Sequence, residues 1–262
     1  MWDPTAYQRY GDERSRPFFD LTGRLPDERP RAVVDLGCGP GNLTVALAAR
    51  WPGAAVTGLD SSPEMISKAL ALESPVAFAV ADLREWVPGP EDDVVVSNAA
   101  LQWVAGHEEL LTRWAGQLPG GARLAVQVPG NFDAASHRTL RALAREPRWA
   151  GQLAPLLRDA PVRDAAGYAD LLISAGCAVD AWETGYLHLL PVRPGADPPV
   201  LTWMEGTALR PVRAALADDE ESWSAFRAEL AGRLAEAYPV RDSLVYFPFR
   251  RIFFVARTGA RP

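Results

Sequence analysis

The first half of the chain alternates short apolar runs with stretches that have helical spacing. The apolar runs are RAVVDLG (31–37), AAVTGLD (54–60), VAFAVAD (76–82), DDVVVSNA (92–99) and ARLAVQVP (122–129). Helical patterns separate them at 42–51, 63–72 and 107–118. Strands that are apolar along their whole length, with helices between them, are typical of a parallel sheet buried on both faces. We therefore predict an α/β fold with residues 31–129 as its cofactor-binding core.

The second half of the chain is less regular. We predict helix and loops over 130–165, a helix over 166–176, a long strand over 177–191, helices over 200–238 and a final strand over 250–258. The stretches 130–165 and 189–249 are predicted to be helical insertions that cap the carboxyl ends of the sheet strands, where open α/β folds bind ligands. Residues 1–30 are predicted to be a helical segment that covers the site, and 1–262 a single domain.

Composition narrows the classes of function. Of the 262 residues, 48% are hydrophobic and 23% are charged, and the formal net charge is −6. An acidic balance argues against a nucleic-acid partner, which favours a basic surface. Because the sequence has no apolar run typical of a signal peptide or a membrane span, we expect a cytoplasmic protein. The only cysteines, Cys38 and Cys177, cannot supply a zinc set or a disulfide framework, and we expect no bound metal.

The stretch VVDLGCGPGNLT (33–44) is a glycine-rich turn after the first predicted strand. A dinucleotide fingerprint, G-x-G-x-x-G, would need a glycine where this chain has Asn42. Asp35 would also lie unfavourably beside a pyrophosphate, whereas it would favour a ligand that carries an ammonium group. S-adenosylmethionine has an ammonium, a carboxylate, a ribose and an adenine but no phosphate, and Gly37 and Gly39 would leave room for it. The turn therefore favours S-adenosylmethionine as the cofactor.

Two further carboxylates follow predicted strands. Asp60 ends the second strand and can accept hydrogen bonds from both ribose hydroxyls, which serves NAD and S-adenosylmethionine equally. It could instead help to start the next helix, although Ser61 or Ser62 could do that as well. Asp82 ends the third strand, where it can accept from the adenine amino group while the backbone N–H of Leu83 serves the ring. The ordered set of acids and glycines favours S-adenosylmethionine over NAD.

Four motifs resemble those of class I S-adenosylmethionine-dependent methyltransferases, namely VVDLGCGPGN, GLDSSPEMI, ADLREW and SNAALQW. The resemblance implies a Rossmann-like sheet of seven mostly parallel strands with helices on both faces and an antiparallel last strand. It places the methyl group near Asn98, Gln102 and Trp103, which we expect to position the reactants, although Trp103 could equally be a core residue. Candidate cofactor-binding residues are Tyr7, Arg14, Asp35, Gly37, Cys38, Gly39, Asp60, Ser61, Met65, Asp82, Leu83 and Asn98.

Four other motifs resemble the trans-aconitate methyltransferase family, namely YQRYGDERSRP, AVQVPGN, TALRP and FPFRRIFFVAR. This resemblance runs from about residue 2 to residue 258 and implies methyl transfer to a carboxylate of trans-aconitate. Such a carboxylate is ionised at neutral pH and needs no general base. Removing a polycarboxylate from water does need cations, a role for which arginine is suited. Candidate substrate-binding residues are Arg16, Trp103, Gln127, Asn131, Arg210, Arg250 and Arg251.

Neighbouring residues on a strand point to opposite faces, so we expect only one of Arg250 and Arg251 to reach the pocket.

Three alternative functions remain open. The chain could methylate another small acid or a neutral metabolite, or it could bind S-adenosylmethionine without transferring the methyl group. An NAD-linked oxidoreductase is disfavoured by Asn42 and Asp35. As partners we expect a small polycarboxylate, no nucleic acid, no membrane and no second copy of the chain.

Overall fold

The computed structural model describes residues 11–259, with side chains from residue 15 onward. Its helices are α1 (Gly11–Thr22), α2 (Asn42–Arg50), α3 (Pro63–Leu70), α4 (His107–Gln117), α5 (Ala135–Ala144), α6 (Ala150–Leu153), α7 (Ala165–Ser174), α8 (Pro199–Glu205), α9 (Arg210–Ala215) and α10 (Glu220–Ala237). Short 3-10 helices cover Leu101–Trp103 and Ala154–Leu156. Its strands are β1 (Ala32–Leu36), β2 (Ala55–Asp60), β3 (Ala77–Val80), β4 (Asp92–Asn98), β5 (Arg123–Pro129), β6 (Ala178–Pro191), β7 (Val240–Arg241) and β8 (Leu244–Arg257).

The strands form one mixed sheet in the order β3-β2-β1-β4-β5-β8-β6, and the short β7 pairs with β8. β1 pairs in parallel with β2 and β4, β2 with β3, and β4 with β5. β8 runs antiparallel to β5, with Arg257 opposite Arg123 and Arg251 opposite Pro129. The predicted seven-strand path with an antiparallel last strand is confirmed. The carboxyl ends of the parallel strands therefore share one edge of the sheet, where the predicted site residues follow them.

The described residues divide into two compact units. The sheet unit contains Arg14–Pro129, Val162–Thr184 and the residues from Arg251 onward. Its core joins apolar side chains of the strands to those of the helices, and Trp114 and Phe254 are among its fully buried residues. β4 and β5 are buried along most of their length, which explains why their sequences are almost continuously apolar.

The described parts of the helix-rich unit are Gly130–Pro161 and Gly185–Arg250. This unit has a core of its own, in which Trp203 is almost fully buried. Phe226 and Leu230 of α10 enter that core from one helix face, as their helical spacing predicts. Each unit therefore has the buried apolar cluster that a compact fold requires.

The last strand is longer than the sequence pattern predicts, because it begins at Leu244 rather than at residue 250. Buried and exposed residues alternate from Val245 to Arg250, which is the pattern of a strand with one buried face. Pro248 hides this strand in the sequence, since proline cannot donate to a strand ladder; in the structure it occupies an exposed position. The predicted helical insertion over 189–249 is accordingly strand at both ends and helix in its middle.

The predicted N-terminal helical segment is described only in part. Within residues 1–30 the structure describes α1, whereas Tyr7 and the side chain of Arg14 lie outside the described residues. The domain boundaries and the capping role of the insertions stay predictions. Along residues 11–259, no helix combines the length and the apolar character that crossing a membrane requires.

The tight packing at Gly41 predicts a large effect of a small substitution. Gly41 has a φ of 81°, and a Cβ there would lie 2.7 Å from Phe78 Cζ and 2.8 Å from Ala69 Cβ. We expect Gly41→Ala to lower the free energy of unfolding by about 1–3 kcal/mol, measured by urea denaturation. Gly53→Ala is the matched control, because a Cβ at Gly53 has no neighbour within 4 Å in the described part of the chain. Equal losses in the two variants would contradict the role assigned to Gly41.

Candidate functional site

The glycine turn joins β1 to α2 and lies against the end of β2. Gly37, Gly39 and Gly41 have φ angles of 81°, 57° and 81°. The backbone N–H groups of Gly37 and Cys38 donate to the carbonyl oxygen of Leu59 at 2.7 and 3.0 Å. Residues with a Cβ rarely adopt such backbone angles, so the glycines are needed to form the turn.

The glycines differ in the space around them. A Cβ at Gly37 would lie 2.3 Å from the Cβ of Ala100, and one at Gly41 would overlap the ring of Phe78. Apart from its chain neighbours, no atom of the described residues would lie within 4 Å of a Cβ at Gly39. Gly37 and Gly41 therefore allow close internal packing, whereas Gly39 faces space that a ligand can occupy.

Asp35 lies near the carboxyl end of β1 and is only 3% exposed. Thr44 in the first turn of α2 donates from Oγ1 to Asp35 Oδ2 at 2.6 Å. Burial raises the pKa of Asp35 to about 7; the Thr44 hydrogen bond opposes this rise and the charge of Asp60 adds to it. A cation bound at this carboxylate would favour its ionised form. The site is therefore suited to a positively charged ligand group.

Asp60 ends β2, and its carboxylate connects two backbone segments. Oδ2 accepts from the backbone N–H of Gly39 at 3.0 Å, and Oδ1 accepts from that of Ser62 at 2.9 Å. Ser62 is the N-cap of α3, where its Oγ accepts from the backbone N–H of Met65. Asp60 thus supports the start of the helix and also lies at the glycine turn. Each carboxylate oxygen has a further lone pair that can accept from a ribose hydroxyl.

Asp82 follows β3 and already has a partner in the described structure. The Nε of Arg84 lies 3.0 Å from both carboxylate oxygens of Asp82, and the backbone N–H of Arg84 donates to Oδ1 at 2.9 Å. The Arg84 bonds lower the pKa of Asp82 to about 2. An adenine amino group would have to share the carboxylate with Arg84. The side chain of Leu83, whose backbone was predicted to serve the ring, is buried.

A sharp bend follows β4 at Asn98. Ala99 has a φ of 55°, and its N–H donates to the carbonyl oxygen of Gln127 at 2.9 Å. Asn98 Oδ1 is buried and has no hydrogen-bond partner among residues 11–259. Gln102 is buried and donates from Nε2 to the carbonyl oxygen of Ala99. Trp103 is 51% exposed, so the alternative that it is a core residue is wrong.

Gln127 and Arg251 meet at the carboxyl end of β5. Gln127 is fully buried, and Arg251 on β8 is 5% exposed. Nη1 of Arg251 donates to Gln127 Oε1 at 3.3 Å. Arg250 is exposed, and its Nη1 donates to the carbonyl oxygen of Gly130 at 3.4 Å. The predicted opposite orientation of the two arginines is confirmed, and Arg251 is the one that points inward.

The other substrate candidates are divided between the two units. Arg16 is an exposed residue of α1 and belongs to the sheet unit. Asn131, which is buried, and Arg210, which is exposed at the start of α9, belong to the helix-rich unit. The substrate-binding roles of all these residues stay predictions.

Three of the cofactor candidates differ in exposure. Ser61 is exposed and Met65 of α3 is half-buried. Cys38 is buried in the turn, and burial raises the pKa of its thiol. A thiol that stays protonated is a poor nucleophile, so the surroundings of Cys38 suit a small packing residue of the turn.

The groups in the sheet unit fit S-adenosylmethionine. The buried carboxylate of Asp35 and Asn98 Oδ1, which has no hydrogen-bond partner in the described part of the chain, are acceptors suited to an ammonium group. Asp60 supplies acceptors for ribose hydroxyls, and the open side of Gly39 leaves room for the ligand. Two carboxylates at the turn would oppose a pyrophosphate. In the part of the chain that the structure describes, no group of three or more His, Cys, Asp or Glu side chains could hold a metal ion.

Comparison with known proteins identifies the family. Residues 33–121 match a family model described as a methyltransferase domain. The chain is 56% identical over 266 residues to a protein named trans-aconitate 2-methyltransferase from Mycobacterium sp. (strain KMS), covering 99% of this chain and 100% of the relative. This chain belongs to the trans-aconitate 2-methyltransferase family.

Two further matches support the family and the fold. A protein of the same name from Mycobacterium tuberculosis strain H37Ra is 51% identical, covering 99% of this chain and 97% of its own length. The solved structure of a putative methyltransferase from Bacillus halodurans has a TM-score of 0.57 at 13% identity, covering 92% of this chain and 98% of that one. The predicted Rossmann-like class I methyltransferase fold is thereby confirmed.

The sequence interpretation missed three residues that shape the site. Thr44 reaches Asp35 because α2 begins directly after the turn, and no motif indicates that contact. Arg84 lies two residues after Asp82, a spacing from which the ion pair could have been suspected. The positive φ of Ala99 gives no sequence signal, because alanine has no preference for that conformation.

The raised pKa of Asp35 predicts that stability depends on pH. The folded state holds the Asp35 proton more tightly than the unfolded state, so this contribution is complete at low pH and is lost as the pH rises towards 7. We expect Asp35→Asn to gain stability relative to the wild type by up to about 1.4 kcal/mol per pH unit between pH 5 and 7, measured by urea unfolding.

Asp82→Asn is the control for this measurement. The pKa of Asp82 is about 2, below the range tested, so its difference from the wild type should not vary between pH 5 and 8. If the difference between Asp35→Asn and the wild type is equally flat, Asp35 does not titrate in this range and the assigned environment is wrong.

Proposed function

We propose that the chain transfers a methyl group from S-adenosylmethionine to a carboxylate of trans-aconitate, giving a monomethyl ester and S-adenosylhomocysteine. The observation that carries the proposal is the buried Asp35 carboxylate on the strand that leads into the glycine turn, which suits an ammonium-bearing cofactor. The acceptor is taken from the name of the relatives, which align with nearly the whole chain.

S-adenosylmethionine supplies a methyl group on a positively charged sulfur. In the proposed complex Asp35 and Asn98 accept from the ammonium, and Asp60 accepts from the ribose hydroxyls. Asp82 and the backbone N–H of Leu83 bind the adenine, with Asp82 still paired to Arg84. Gly37, Cys38 and Gly39 provide the backbone of the turn. Further proposed cofactor contacts are Tyr7, Arg14, Ser61 and Met65.

The acceptor needs alignment rather than a general base, since its carboxylate is ionised at neutral pH. A carboxylate oxygen gains the methyl group as the carbon–sulfur bond breaks, so one negative and one positive charge are lost together. A site with little water favours this loss of charge, and alignment of the reactants can supply roughly 7–11 kcal/mol. We assign the positioning of the reactants to Asn98, Gln102 and Trp103.

Binding the acceptor requires partners for several carboxylates. A guanidinium pairs with a carboxylate through two parallel hydrogen bonds, which offsets the cost of removing it from water. From the interior of the sheet unit we propose Gln127 as a contributor, with Arg251 bonded to its amide oxygen. Further proposed contributors are Arg16, Trp103, Asn131, Arg210 and Arg250.

We also propose that the protein acts as a monomer in the cytoplasm. Cys38 and Cys177 are both free and buried, as suits a reducing compartment.

Transfer of a tritiated methyl group tests the proposed reaction. We expect a higher kcat/KM with trans-aconitate than with citrate, isocitrate or cis-aconitate. A higher kcat/KM with another acid would mean that this acid, and not trans-aconitate, is the acceptor. The proposed methylation of a carboxylate would stand. Tight cofactor binding without turnover of any acid would favour a non-catalytic binding protein. Calorimetric binding of NADH but not of S-adenosylhomocysteine would overturn the cofactor assignment.

Asp60→Ala is expected to weaken cofactor binding. The variant loses the acceptor for the ribose and the bond to the Gly39 N–H. We expect the Kd for S-adenosylhomocysteine, measured by calorimetry, to rise about 10- to 100-fold. Glu64→Ala is the control, because Glu64 is an exposed residue of α3 whose partner is Lys68. A similar Kd in both variants would remove Asp60 from the cofactor site.

Arg210→Ala is expected to weaken acceptor binding. We predict a rise of about tenfold in the KM for trans-aconitate with an unchanged Kd for S-adenosylhomocysteine. Arg213→Ala in the same helix is the matched control, since Arg213 is paired with Glu220 at 2.9 Å. If steady-state kinetics give both variants the same KM, Arg210 does not bind the acceptor.

A further inference from the structure

Among the described residues, the side-chain amide of Gln127 has a hydrogen-bond partner for its oxygen only. Gln127 is fully buried near the carboxyl end of β5. Its Oε1 accepts from Nη1 of Arg251 at 3.3 Å, whereas its Nε2 has no hydrogen-bond partner within residues 11–259. Buried polar groups are nearly always hydrogen-bonded, because an unpaired one costs free energy. The Nε2 group therefore indicates a binding partner that offers an acceptor atom.

Arg251 determines which way the amide points. A guanidinium group has only hydrogen-bond donors, so it can bond to the oxygen of the amide but not to its nitrogen. If the amide of Gln127 were turned over, Nε2 would face Nη1 of Arg251 and two donors would be opposed. The contact with Arg251 thus keeps the N–H bonds of Gln127 directed away from the guanidinium.

The neighbourhood of Gln127 favours a negatively charged acceptor. Asn98 lies opposite Gln127 in the parallel register of β4 and β5, and neighbouring strands are about 5 Å apart. We assigned Asn98 to the ammonium of the cofactor, so a ligand at Gln127 lies beside the reacting part of the site. The positive charge of Arg251, bonded to the same amide, attracts an anion.

We propose that Gln127 Nε2 donates to a carboxylate of the acceptor, and that Arg251 is a positioning residue that orients Gln127. This inference rests on the proposed function, because it names the group that recognises the proposed acceptor. The carboxylate of the cofactor's methionine portion is the other ligand group with suitable chemistry. The experiment therefore measures acceptor and cofactor separately.

Gln127→Glu is the decisive variant, because it has the same shape and keeps an oxygen for Arg251. It replaces the donor Nε2 with a second oxygen, which repels a carboxylate. We expect the KM for trans-aconitate to rise about 100-fold. The Kd for S-adenosylhomocysteine and the melting temperature should both stay at their wild-type values. Gln117→Glu makes the same chemical change at an exposed position at the end of α4 and should leave KM unchanged.

The outcomes separate this inference from the proposed function. If the wild type methylates trans-aconitate and Gln127→Glu keeps the wild-type KM, the inference alone is overturned. It is also overturned if the variant weakens S-adenosylhomocysteine binding and leaves the KM for the acid unchanged. If the wild type methylates no acid, the proposed function is overturned and the inference with it.

The positioning role of Arg251 has a separate test. Arg251→Met should raise the KM for trans-aconitate about tenfold in the wild-type background, because the amide of Gln127 is then free to turn over. In a Gln127→Ala background the same substitution should add no further rise. Melting temperature and S-adenosylhomocysteine binding verify that each variant is folded. An equal rise in both backgrounds would mean that Arg251 acts on the acceptor directly and would overturn its positioning role.

Discussion

The carboxylate of Asp60 holds the glycine turn and the start of α3 in one arrangement. It accepts from the N–H of Gly39 on one side and from the N–H of Ser62 on the other. The turn is also bonded to the carbonyl of Leu59, so its position is tied to the end of β2. The open space at Gly39 depends on these bonds, and so does the placement of α3. Because Asp60 holds the turn and is also the proposed partner of the ribose, the stability of the turn is linked to the binding of the cofactor.

A second constraint is the free-energy cost of burying the carboxylate of Asp35 away from water. Thr44 provides one hydrogen bond, but burial and the charge of Asp60 still raise the pKa of Asp35 to about 7. The ligand-free site is therefore electrostatically unfavourable, and a bound ammonium would relieve it. Affinity for such a ligand comes in part from this unfavourable starting state. The buried Nε2 of Gln127 likewise has no hydrogen-bond partner among the residues that the structure describes.

Much of the fold could be predicted because its signals are local. Continuously apolar runs located β1 to β5, and the alternation of faces along a strand predicted that Arg250 and Arg251 would separate. The missed features at the site are side-chain contacts over short stretches of chain, such as Arg84 with Asp82, and the positive φ of Ala99. Pro248 concealed the first part of β8 in the sequence. In the structure, this part is recognised by its alternation of buried and exposed residues. Trp103 could not be assigned from composition, because a tryptophan after a strand can be core or surface, and it is half-exposed.

The position of β8 affects how the protein is made. Synthesis proceeds from the N-terminus, yet β8, the last strand, lies between β5 and β6 in the sheet. Until β8 has been synthesised, β5 has an open edge and β6 lacks the neighbour it pairs with in the finished fold. Open edges of this kind can pair with other chains. Completion of the sheet therefore waits until β8 has left the ribosome, and a chain that stops short of Leu244 would leave both edges exposed.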